Sequence, residues 1–248
     1  MALRGILLDK DGTLIDFDRT WGPAAYEVMR ALSRGDRGRL EALMAVSHYV
    51  EDERRFLQTS PLIAGSSASY GPLWAQALGR PPTEALYGEM DDLFRIWGLK
   101  TLAPIGEPEA TLRALARRGL ALGIATNDAE ASARAQATAM GLDPHLAYIA
   151  GYDSGFGSKP DPGMVLAFCA ATGLAPAEVA LVGDTLHDLH AARAAGVISV
   201  AVLTGPRGLD ARAEVAPYAD HVLDSIVDLP ALADRLAAKA APSSSPRA

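Results

Sequence analysis

Residues 6–16 read Ile-Leu-Leu-Asp-Lys-Asp-Gly-Thr-Leu-Ile-Asp, an apolar run that stops abruptly on Asp9, Lys10, Asp11 and Gly12. A buried strand that ends on acids presents them where the sheet ends. In an extended segment residues i and i+2 face the same side, so Asp9 and Asp11 are expected to share a site while Lys10 is turned away from it. Lys10 is therefore read as solvated, or as facing whatever packs over the strand, rather than as a substrate contact. Gly12 lets the chain turn sharply where a larger residue would resist.

Working outward, similar apolar runs recur at 4–9, 120–126, 145–151, 178–184, 197–203 and 221–225. Helical patterns separate them, and four of these stop on a glycine: Gly119, Gly141, Gly173 and Gly196. Strands that are apolar throughout and alternate with helices predict an α/β fold, with a parallel sheet covered on both faces. Residues 17–98 break that rhythm. Their helical patterns, at 24–33, 39–57, 70–79 and 83–98, contain no convincing strand, so an all-helical insertion after the first strand is expected. The end of the chain, APSSSPRA at 241–248, is small, polar and proline-containing, and reads as a disordered tail.

Composition narrows the function. The 248 residues are 49% hydrophobic and 21% charged, which suits one large globular domain or one domain with an insertion. A formal net charge of −7 leaves no broad positive field for a phosphate backbone, so nucleic acid is not an expected partner. No apolar run approaches the roughly 18 residues that cross a bilayer, so no membrane association is expected. The single cysteine, Cys169, sits in an apolar stretch and reads as a packed core thiol, which suits a reducing, cytoplasmic setting.

Three predicted strands end on polar groups suited to one ligand: Asp9 and Asp11, then Thr126 and Asn127, then Asp184. Ligands of open parallel sheets collect beyond such carboxyl ends. Converging carboxylates repel unless a cation sits among them, and Mg²⁺ is typically held by one or two carboxylates, waters and a substrate phosphate. Asp188, one helical turn past Asp184, is placed to hold a metal-bound water or to orient a lysine. Lys159 would supply a fixed positive charge from a loop before a helix, and Thr126 and Asn127 a hydroxyl and an amide for phosphate oxygens. An aspartate is about a thousandfold more ionised than protonated at pH 7, so one acid of the first pair can attack phosphorus unaided. The other can give a proton to the leaving alkoxide and later take one from water.

DKDGTL at 9–14, ATN at 125–127, SKPDP at 158–162 and GDTLHD at 183–188 together resemble the four ordered motifs of the haloacid dehalogenase superfamily, in its phosphatase branch. Within that branch the chain is similar to phosphoglycolate phosphatase-like enzymes. The resemblance implies a Rossmann-like, doubly wound parallel sheet at 1–16 and 99–240, with a helical cap domain at 17–98. It implies Mg²⁺ dependence, Asp9 as nucleophile and Asp11 as general acid/base. Asp9, the main-chain carbonyl of Asp11 and Asp184 would ligate the metal; Thr126, Asn127 and Lys159 would contact phosphate. The substrate would be a small phosphorylated metabolite, phosphoglycolate being the best single candidate, and the enzyme a monomer or homodimer. Lys10 departs from the aliphatic or aromatic residue commonest between the two acids.

A sugar phosphomutase would use the same aspartyl-phosphate, and a non-catalytic module would bind a phosphorylated ligand without needing both a nucleophile and an acid. An EF-hand fails, because Gly12 is fourth from Asp9 and Thr20 stands at the twelfth position. His48, Tyr49, Arg54 and Arg55 are read as solvated or packing residues of the insertion, Tyr70 and Trp74 as its core. His187 lies near the expected metal without being needed as a ligand.

Overall fold

The computed structural model describes residues 2–240; the expected tail at 241–248 lies outside the described residues. Strand β1 is Gly5–Leu8. It is followed by α1 (Phe17–Ser33), α2 (Arg37–Val46), the short strands β2 (Tyr49–Val50) and β3 (Arg55–Phe56), α3 (Ser67–Leu78) and α4 (Glu84–Lys100). The α/β alternation then runs α5 (Pro108–Ala116), β4 (Ala121–Ala125), α6 (Glu130–Ala139), β5 (Tyr148–Ala150), α7 (Gly163–Thr172), β6 (Val179–Gly183), α8 (Leu186–Ala195), β7 (Ile198–Val202), α9 (Arg212–Val215), β8 (His221–Leu223) and α10 (Leu229–Ala240).

Six strands form one parallel sheet in the order β5-β4-β1-β6-β7-β8. All six follow the apolar runs of the sequence, each trimmed at one or both ends. The chain builds outward from β1 to one edge and then crosses to build the other, which makes β1 the topological switch point where a doubly wound sheet opens a crevice. Register then decides what stands in that crevice. Leu8 pairs with Ile124 of β4 and with Val182 of β6, so Asp9, Thr126 and Asp184 all emerge within two residues of the paired rung, at the same end of three adjacent strands. Ile6, Leu7 and Leu8 are almost wholly buried, and Cys169 packs, as expected, in the apolar layer around Phe168 and Val179.

Helix α1 starts because the Asp16 side chain accepts the Arg19 N–H at its first turn. Its buried residues Trp21, Ala25, Val28 and Leu32 recur at three- and four-residue spacing, and that face packs along α4. The expectation of an insertion without strands needs one correction. The helical pattern at 39–57 stops at Val46, His48 takes a left-handed conformation (φ 48°), and Tyr49–Val50 pairs antiparallel with Arg55–Phe56. The reversal buries Tyr49 and Phe56 edge to face at 5.2 Å, and the Tyr49 hydroxyl donates to the Gly22 carbonyl of α1. A continuous helix would instead spread these β-forming residues around its circumference.

Candidate active site

Beyond the carboxyl ends of β1, β4 and β6 lies a cavity roofed by the helical segment. Asp9 follows directly on β1, and its N–H donates to Val182 O. The Lys159 ammonium reaches across to it and donates to Asp9 Oδ1 (2.5 Å), Asp188 Oδ1 (2.6 Å) and the Ala125 carbonyl (2.9 Å). Asp188 is fixed from its other side: Oδ2 accepts both the N–H and the hydroxyl of Thr185 at the start of α8. One ligand oxygen each from Asp9, Asp184 and Asp188 falls within 4.8 Å of the others, and all three residues are buried.

Charge in this cluster is out of balance. Burial pushes the Asp9 carboxyl up to about 7, with Lys159 pulling the other way and Asp188 and Asp11 adding to the rise. Burial likewise raises Asp184 well above the usual carboxylate range, reinforced by Asp9 and Asp188. Burial opposes the charge on Lys159 too, but Asp188 and Asp9 more than offset it and its pKa rises. Asp184 Oδ1 is buried without a hydrogen-bond partner among the described residues. The Asp184 carboxylate is hemmed in by two glycines: a Cβ on Gly12 (φ 80°) would lie 2.5 Å from Oδ2, and one on Gly205 would lie 2.0 Å from the same atom. An orphaned carboxylate oxygen beside two further carboxylates, on a group that two glycines leave room for, fits a hard divalent cation with oxygen ligands.

A second group of charges adjoins the first. Lys10 is wholly buried, which corrects the reading of it as solvated. Its ammonium lies 2.8 Å from Asp11 and 3.1 Å from Asp128 Oδ2, and 4.8 Å from the centre of the Trp21 ring. Burial opposes its charge, but Asp11 and Asp128 outweigh that and raise its pKa. Trp21 Nε1 donates to Asp11 Oδ1 (2.5 Å), and the Thr126 hydroxyl donates to Asp11 Oδ2 (3.3 Å). The Asp11 carboxylate is thus held from three directions at the wall of the cavity.

Asn127 is placed at the cavity, but its side chain is already engaged. Nδ2 donates to the carbonyls of Ala64 and Lys159, and Oδ1 accepts the Lys159 N–H, so the amide braces the Lys159 loop against the roof. His187 lines the cavity, with its pKa lowered by burial. His48, Tyr49, Arg54 and Arg55 do not line it: His48 pairs with Thr59, Arg54 stacks on Tyr26, and Arg55 pairs with Glu53. Trp74 is fully buried core, whereas Tyr70, also buried, reaches the cavity lining. The sequence reading missed Trp21, Ser67, Asp128 and Tyr152, which all line the cavity. A signal existed for one of them. Asp128 directly follows the Thr126-Asn127 pair at the end of β4, where a third polar residue can face the same crevice.

Residues 3–196, which span all four motifs, match the family described as haloacid dehalogenase-like hydrolase. The chain belongs to that family. This hydrolase is 30% identical over 197 residues to a phosphoglycolate phosphatase of Thiobacillus denitrificans, covering 79% of this chain and 81% of that one. It is 28% identical over 205 residues to an N-acetylmuramic acid 6-phosphate phosphatase of Pseudomonas aeruginosa, covering 83% and 84%. Among solved structures, a haloacid dehalogenase-like hydrolase from Bacteroides fragilis superposes with a TM-score of 0.69 at 20% identity, covering 92% of this chain and 99% of that one. Among the described residues no helix is long and apolar enough to cross a membrane.

Proposed function

We propose that this hydrolase is a Mg²⁺-dependent phosphatase that cleaves a small phosphorylated metabolite through a phosphoryl group carried on Asp9, with the helical segment at 17–98 acting as a cap. The observation that carries the reading is the buried convergence of Asp9, Asp184 and Asp188 around the unpartnered Asp184 Oδ1. Phosphatase names among the relatives support it. When bound, Mg²⁺ would be held by Asp9 and Asp184, with Asp188 beside them, and would neutralise charge on the phosphoryl oxygens. Lys159 holds one oxygen of Asp9, and no hydrogen bond from the described residues reaches the other. That second oxygen attacks phosphorus, forming a P–O bond to Asp9 as the bond to the substrate alcohol breaks. Asp11, held by Trp21, Lys10 and Thr126, donates a proton to the departing alkoxide. The same carboxylate then takes a proton from the water that attacks the aspartyl-phosphate, and inorganic phosphate leaves. The Thr126 hydroxyl and the Lys159 ammonium can each redirect a hydrogen bond to a phosphoryl oxygen. Because the Asn127 side chain is spent on bracing, its part in phosphate binding falls to its main-chain N–H.

The test is turnover by Asp9→Asn. The variant should fold normally and release no phosphate from a generic aryl phosphate, while acid quenching of the unaltered enzyme during steady turnover should trap label on Asp9. Unchanged activity in the variant would remove the proposed nucleophile.

A further inference from the structure

The reaction above concerns the phosphoryl half of the substrate; the alcohol that departs must fit the rest of the cavity. That part is walled by Phe17, Trp21, Phe56, Leu62, Tyr70 and Phe94. The polar groups among them are the Ser67, Tyr70 and Tyr152 hydroxyls, the Trp21 N–H, which is given to Asp11, and the Asp128 carboxylate; the Tyr70 hydroxyl pairs with that of Ser67, and the Tyr152 hydroxyl donates to Asp91 Oδ2 at 2.6 Å. Among the described residues lining the cavity no arginine is present, and the one ammonium, Lys159, already gives its three N–H bonds to Asp9, Asp188 and Ala125. Lys10 is enclosed behind the wall between Asp11 and Asp128. Arg207, in the adjoining groove, is paired with Glu214. Four carboxyl groups, Asp9, Asp11, Asp128 and Asp184, therefore line the cavity, and among the described residues its only basic side chains are Lys159, at the phosphoryl end, and His187.

A second anionic group on the substrate would be desolvated among aromatic side chains, near Asp11 and Asp128, with no cation to meet it. A neutral alcohol meets none of these costs, and its apolar surface gains from the aromatic wall. Resting on the phosphatase reading, we infer that the preferred leaving group is an uncharged alcohol with an apolar or ring face, and not one that carries a carboxylate, such as the glycolate released from phosphoglycolate.

The experiment compares kcat/KM of the full chain with Mg²⁺ on three alkyl esters. They are phosphoglycolate, 2-hydroxyethyl phosphate, which replaces the carboxylate by CH₂OH at the same length, and cyclohexyl phosphate, an uncharged ring. Both neutral esters should exceed phosphoglycolate by at least about tenfold, the energetic equivalent of one modest charge contact, with the difference mainly in KM. Either neutral ester falling short of that margin overturns the inference and leaves the phosphatase standing. Turnover of an aryl phosphate but of none of the three overturns the inference alone, and turnover of none of the four overturns the phosphatase reading with it.

Discussion

The two buried lysines sit in neighbouring charge groups that are built alike and balanced differently. Lys10 lies between Asp11 and Asp128, with Trp21 over it, and donors from Trp21 and Thr126 complete Asp11. Lys159 lies between Asp9 and Asp188, but a third carboxylate, Asp184, stands beside them with a buried oxygen that has no hydrogen-bond partner among the described residues. The first group is closed in its contacts: each of its carboxylates lies within 3.1 Å of the Lys10 ammonium, although Asp128 Oδ2 accepts no hydrogen bond among the described residues. The second is one cation short. Stability is expected to reside in the closed group and activity in the open one, because a buried ion pair is costly to break while an unpaired buried charge is costly to keep.

The largest effect should come from neutralising the open group. Asp184→Asn removes the orphaned charge and one expected metal ligand, so kcat/KM should fall by about a thousandfold or more, on the order of 4 kcal/mol of transition-state stabilisation. Unfolding of the metal-free variant should occur at the same or a higher denaturant concentration than in the parent protein. Mg²⁺ should raise the melting temperature of the parent far more than that of the variant. A metal-free variant clearly less stable than its parent would mean that Asp184 is satisfied in a way the structure does not display.

Lys10→Met makes the opposite cut. Asp11 and Asp128 would remain without their shared cation, and removing one partner from a buried ion pair costs about 3–5 kcal/mol. Urea titration should report a loss of that size, largely restored when Asp128→Asn is added, since the second substitution removes one of the stranded charges. A loss below about 1 kcal/mol would place Lys10 among surface pairs, against its complete burial.

The contrast also marks how far sequence reasoning reaches. The alternation of strands and helices and the carboxyl-end positions of Asp9, Thr126 and Asp184 follow from local periodicity and from the way open parallel sheets gather ligands, whereas the strand order and its switch point at β1 emerge only in the folded sheet. Alternation did turn Lys10 away from Asp9. What alternation cannot give is where that other side leads, which depends on Trp21 of α1 and Asp128 after β4 arriving there through tertiary packing. The hairpin at Tyr49–Phe56 was hidden for a related reason: charged residues 51–55 continue a helical pattern, and the strand pairing gains its advantage only when Phe56 can meet Phe17. Asn127 shows the converse, a residue placed correctly whose amide is occupied by carbonyls from two distant loops.

A pH series sharpens the account of the open group. Burial holds Asp9 near 7 in the folded, metal-free protein, whereas the unfolded chain releases that proton near the ordinary carboxylate value of about 4. Between those values the folded state binds more protons than the unfolded one, so stability should fall as pH rises from about 4.5 to 7.5 in the presence of a chelator. His187, shifted down by burial, pulls the other way at the acid end, and Asp184, raised by burial beside Asp9 and Asp188, adds to the fall, so Asp9→Asn should lessen the slope and Asp9→Asn with Asp184→Asn should flatten it. Saturating Mg²⁺ should flatten it as well, because a bound cation competes with the protons.

The smallest expected effect probes the contact between the closed group and the reaction. Trp21→Phe keeps an aromatic ring against Gly98 and Phe94 but deletes the N–H that reaches Asp11 Oδ1. One hydrogen bond to a charged group is worth about 1.5–3 kcal/mol when its loss is felt in the transition state, so kcat should fall roughly tenfold to a hundredfold on alkyl phosphates. Aryl phosphates expel a weakly basic aryloxide that needs little help from an acid, so their kcat should change less than threefold by the same logic of proton transfer. If Trp21 only supported the fold, the two classes of ester would lose activity in equal proportion. A selective loss on alkyl esters ties the indole N–H to the orientation of Asp11 as the group that protonates the departing alcohol.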